Sequence, residues 1–117
     1  MLRGCKGAMT MTGDVLLVLT TCGDPAAAGR LADSLVEQRL AACVNTIGGV
    51  TSTYRWQGKI ERDSETMLVI KTTKGRYPAV EAHIRAQNDY ELPEIIAVRP
   101  EGGLSAYLDW VRDETAG

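Results

Sequence analysis

The chain has 117 residues and a formal net charge of −2, from 13 basic and 15 acidic side chains. Hydrophobic residues make up 44%, the share of an ordinary globular protein, and the length suits one domain with little room for a second. A near-neutral chain without a basic run offers no footing for nucleic acid or a polybasic membrane surface, and no apolar stretch is long enough to cross a bilayer.

The opening MLRGCKGAMTMTGD carries no apolar core of a secretory signal. Residues 1–13 read as a flexible extension with Met9 and Met11 as alternative starts, and residues 14–117 as the single domain. Val15–Thr21 (VLLVLTT) is a continuous apolar run, the mark of a buried strand. Asp24 and Pro25 then suit the cap and first turn of a helix, and Leu31, Leu35 and Val36 give an amphipathic stripe over Ala26–Leu40. The second strand, Ala41–Ile47, meets Gly48-Gly49, a bend or bulge, and resumes through Thr53–Trp56. Gln57, Gly58 and Lys59 form a turn, and Thr66–Thr73 returns as an antiparallel third strand in a long hairpin. Tyr77, Val80 and Ile84 stripe a second helix over Tyr77–Asn88. Glu94–Pro100 is the fourth strand, and Leu104, Tyr107, Leu108 and Val111 stripe a last helix.

The order β-α-β-β-α-β plus a terminal helix predicts an α+β, ferredoxin-like sandwich with both main helices on one sheet face. Strand parity adds a demand. Leu68 and Ile70 oppose Met67 and Val69, Ile95 and Ala97 oppose Ile96 and Val98, and the first strand is apolar on both sides. A sheet with one wet face alternates polar and apolar residues, and this one does not. The terminal helix is too short to cover the second face, so a symmetric homo-oligomer with sheets packed inward is expected. Tyr54 and Trp56 on the hairpin suit an arm that anchors a neighbouring subunit.

The segments LAACVN (Leu40–Asn45), YRWQGKIE (Tyr54–Glu61), ETMLVIKT (Glu65–Thr72) and YELPEI (Tyr90–Ile95) resemble, in order, the divalent-cation tolerance protein CutA family. The resemblance runs from about Val15 to Arg112. It implies a ferredoxin-like fold, a homotrimer, a cytoplasmic location and a link to copper and other divalent cations. One departure stands out. Where members often carry His-Pro ahead of the Tyr-Glu, this chain has Asn88-Asp89, so no role of that histidine transfers, and Asp89 offers only an oxygen ligand.

Cys5, Cys22 and Cys43 are odd in number and irregular in spacing, which fits a reducing compartment better than a disulfide frame. Cys43 is a candidate soft ligand for Cu(I), but a small residue buried in a strand is the reading favoured for a free cysteine. His83, the one histidine, reads as a residue at the edge of its helix stripe. Lys71 should need an acidic partner, Glu65 sharing its parity or Glu94 opening the fourth strand, with Tyr54, Trp56 and Tyr90 walling the same region. That predicts a polar inter-subunit cleft for an anion, a metal complex or a small effector, or else an ion pair that only locks the assembly. Gly48-Gly49 lacks the helix a phosphate cradle requires. No catalytic set of residues is visible, so no enzyme and no organic cofactor are expected. Three readings follow: a trimer binding copper or another divalent cation, a small-molecule sensor resembling the PII class, and a structural scaffold.

Overall fold

Val15–Cys22 forms β1, Pro25–Glu37 α1, Cys43–Trp56 β2, Lys59–Thr73 β3, Tyr77–Gln87 α2, Ile96–Val98 β4 and Ser105–Thr115 α3. The computed structural model describes residues 14–117, so the expectations for residues 1–13, Cys5 among them, lie outside the described residues. The four strands are antiparallel in the order β2-β3-β1-β4. The predicted α+β, ferredoxin-like order with its extra helix is present.

Local chemistry sets the ends of the elements. Asp24 caps α1, its Oδ1 accepting from the Ala27 amide at 2.8 Å, with Pro25 in the first turn where no amide donor is needed. The helix stops at Glu37, short of the expected Leu40, because Arg39 takes a left-handed φ of 58° and the Leu40 and Ala41 amides turn back to the Leu35 carbonyl. Gln57 and Gly58 both have positive φ, the two-residue turn whose twist matches a hairpin, and Lys59 already belongs to β3.

Two expectations are corrected. The hairpin strands are longer than expected, since β2 runs through the glycine pair and β3 starts seven residues before Thr66. The fourth strand is shorter: only Ile96–Val98 pairs with β1, so Glu94 lies outside it.

The core lies between the sheet and α1 and α2. Val18, Leu68 and Ile70 meet Ala28, Leu31, Leu35, Val80 and Ile84, all buried. The opposite face carries Leu17, Leu19, Met67, Val69, Ile96 and Val98. There α3 covers one end only, packing Leu108 and Val111 on Val15 and Ala42. Ile47, Ile96 and Val98 stay 46%, 52% and 42% exposed. The parity argument is thus realised in a single chain as an apolar face with a partial lid.

Candidate functional site

The residues singled out in the sequence fall into two groups on this second face. The first is set by β3. Glu65 lies past the end of β1, where β2 and β3 continue as a two-stranded ribbon. Pairing passes from Ile47↔Met67 to Val50↔Glu65, so β2 spends one residue more than β3 across Gly48-Gly49. This bulge, with Gly49 at φ 72°, reverses the parity of β2. Beyond it Val50, Ser52, Tyr54 and Trp56 share a face with Glu65, Asp63, Glu61 and Lys59, while Arg55 and Arg62 take the other.

On that face Tyr54 donates its hydroxyl to Asp63, and Tyr90 donates to Glu65 Oε2 at 2.7 Å. Tyr90 arrives from the segment after α2, whose fold is held by Asn88: its Nδ2 donates to the Thr21 carbonyl at 3.2 Å, and its Oδ1 accepts from the Tyr90 amide at 2.8 Å. The ring sits over Gly23, where an added Cβ would lie 3.3 Å from the hydroxyl. The hydrogen bond to Asp63, then slight desolvation, pushes Tyr54 up to about 12. Tyr90 is raised further, by burial and then by Glu65. Both phenols therefore stay protonated donors at neutral pH. Nearby Cys22 is buried, and desolvation followed by Asp24 and Glu65 raises its thiol, so it remains uncharged.

The second group lies six residues along β3, about 20 Å away. Lys71 stands between Cys43 on β2 and Leu17 on β1 in the register. The expected acidic partner is not there. Lys71 Nζ bonds the Asn45 amide oxygen instead, and as a half-exposed side chain it keeps part of its hydration. Neither Glu65 nor Glu94 reaches it. Glu94 is exposed outside β4, and the predicted cleft of Tyr54, Trp56, Glu65, Lys71, Tyr90 and Glu94 does not close within one chain. Cys43 is a free, half-buried thiol, and Tyr107 of α3 lies against it. Burial first, then the sulfur, raises the Tyr107 phenol.

These neighbours do not make a metal centre. Among the described residues no group of three or more His, Cys, Asp or Glu side chains is placed to hold an ion. Asp89 is exposed, and His83 bonds Ser34 Oγ at 2.8 Å between α1 and α2, the boundary role its spacing predicts. Asp63, Asn45 and Tyr107 are the partners that sequence reasoning missed. Only Asp63 carried a signal, two residues before Glu65 and so on the same strand face.

Comparison with known proteins agrees with this geometry. The family profile described as CutA1 divalent ion tolerance protein matches residues 16–114. The divalent-cation tolerance protein CutA of Thermus thermophilus is 43% identical over 99 residues, 85% of this chain and 96% of the relative. Its solved structure superposes with a TM-score of 0.85 at 42% identity, covering 87% of this chain and 99% of that one. The Arabidopsis thaliana protein CutA, chloroplastic, is 39% identical over 100 residues, 86% of this chain. The chain spans only 55% of that relative's length and 62% of the human one's. Among the described residues no helix is long and apolar enough to cross a membrane. With the profile matched over residues 16–114 and a relative 43% identical over 85% of the chain, the chain belongs to the CutA1 divalent ion tolerance family.

Proposed function

We propose that the protein works as a cytoplasmic homotrimer that binds copper or another divalent cation in metal tolerance and catalyses no reaction. The observation that carries the assembly is the second sheet face, where Ile47, Ile96 and Val98 stay about half exposed and α3 covers one end only. The same face carries Cys43, and among the described residues of one chain no group of three or more His, Cys, Asp or Glu side chains could hold an ion there. A metal site on this face therefore needs ligands from symmetry-related copies. Native mass spectrometry of the reduced protein, with and without Cu(I), reads both claims at once. A trimer with a defined copper stoichiometry that disappears in Cys43→Ser is the expected result. A metal-free trimer removes the metal reading, and a monomer removes the assembly.

A second reading, an effector sensor resembling the PII class, rests on the Tyr54–Asp63 and Tyr90–Glu65 pairs aligned on one ribbon face. Thermal shift across nucleotides and small anions, repeated on Glu65→Gln, tests it. No ligand-dependent stabilisation in the wild type refutes it.

A further inference from the structure

Ser34 and His83 are brought together where α1 packs beside α2, on the helical side of the sheet and opposite the face that carries Cys43. Their chain neighbours Leu35 and Ile84 are fully buried in the core and hold both stretches of backbone on rigid helices. Ser34 and His83 themselves stay half-exposed at the outer rim of the seam. There Ser34 Oγ lies 2.8 Å from His83 Nε2. That is the separation a serine nucleophile and its base require.

One turn further along, Gln38 joins them. Its amide N–H donates to the Ser34 carbonyl at 3.1 Å, and its Nε2 donates to Ser34 Oγ at 3.1 Å. The two bonds aim the side-chain amide at the hydroxyl. With Gln38 donating to Oγ, the hydroxyl proton needs an acceptor of its own, and among the described residues the one it meets is Nε2. This sets the tautomer of the only histidine in the chain: the Nε2 lone pair faces Oγ, and Nδ1 carries the ring proton. A nucleophile, a base and a neutral donor therefore converge at one half-exposed spot.

We propose that Ser34 is an acyl-acceptor site, modified by activated esters such as aryl esters and thioesters, with His83 as the base. Oγ attacks the carbonyl carbon of the ester, and the hydroxyl proton passes to Nε2. The Gln38 amide, already within hydrogen-bond distance of Oγ, donates to the oxyanion that forms beside it. The bond to the leaving group then breaks, a phenolate or thiolate departs, and an ester remains on Ser34. The proton on His83 passes to solvent, so the step needs no oxidant, metal or cofactor. It is a single modification of the chain, not turnover, and it stands apart from the metal reading.

The test treats the full chain with p-nitrophenyl acetate and follows acetylation at each residue by peptide mass spectrometry over time. Ser64, exposed on the ribbon and far from His83, is the internal reference. General-base assistance should make Ser34 react about tenfold faster than Ser64, or more. His83→Gln keeps a polar side chain at the seam but removes the base. It should bring Ser34 down to the Ser64 rate while thermal unfolding stays near that of the wild type, an outcome that a role confined to clamping the helices does not produce. If His83→Gln fails to fold, the comparison of Ser34 with Ser64 in the wild type still decides. Equal rates at the two serines in the wild type overturn the proposal. So does acetylation of Ser34 at the wild-type rate in a folded His83→Gln protein.

Discussion

Ile96→Asp separates an exposed apolar face from a covered one. Ile96 pairs with Leu19 on the second sheet face and is 52% exposed in the single chain. Fully burying an aliphatic side chain is worth about 1.5–3 kcal/mol, so in a lone chain the substitution forfeits roughly half of that, about 1 kcal/mol, and the new carboxylate keeps its water. Packing this face against another subunit changes the balance. Burying what remains exposed of Ile47, Ile96 and Val98 would contribute roughly 2–4 kcal/mol per chain. An unpaired buried carboxylate costs several kcal/mol and cancels it. Each 1.4 kcal/mol is a factor of about ten in association, so assembly should weaken by two orders of magnitude or more. Size-exclusion chromatography with light scattering reads the mass, and circular dichroism with thermal unfolding reads the fold. The control is Val36→Asp, on α1 and 43% exposed. A folded, smaller species for Ile96→Asp and a wild-type mass for the control are expected. An Ile96→Asp protein with the wild-type mass at the same concentration would refute the reasoning, because that face would not then be the interface.

The hydroxyl of Thr20 is fully buried without a hydrogen-bond partner, so Thr20→Val, of nearly the same shape, should stabilise the fold by about 1 kcal/mol in denaturant titration. A loss of stability would show that the hydroxyl has a partner. All four tyrosines are raised above the ordinary phenol value of 10.0. A raised folded value means the native state holds the proton more tightly. Its stabilising contribution is complete below pH 10 and is lost as pH climbs through the folded values, for Tyr54 up to about 12. Alkaline titration followed by phenolate absorbance should therefore begin late for the native chain, and Tyr90→Phe should remove the latest step. A Tyr90→Phe titration that keeps the latest step contradicts the Tyr90–Glu65 pair.

Most of the fold was legible without coordinates because its signals are local. Asp24-Pro25 marks a helix start by what a cap and a first turn require, and the Leu31–Leu35 and Val80–Ile84 stripes are periodic whatever they pack against. The apolar parity of the third strand likewise announced a second apolar face. The candidate site was legible only in pieces. Glu65 and Tyr90 meet as neighbours, but Lys71 sits with Asn45 and Cys43 at the other end of the strand, because a strand spreads six residues over about 20 Å.

What the residue string determined by itself was the element order, the two-sided apolar sheet and the family motifs, since each depends on spacing along the chain. Which face the ribbon aromatics occupy was decided only in three dimensions. Counting alternation from Cys43 puts Thr53 and Arg55 on the second face, and the one extra residue at Gly48-Gly49 puts Tyr54 and Trp56 there instead. A bulge changes register by a single residue. Its place is set by pairing with the partner strand, and that partner is nowhere in the local sequence.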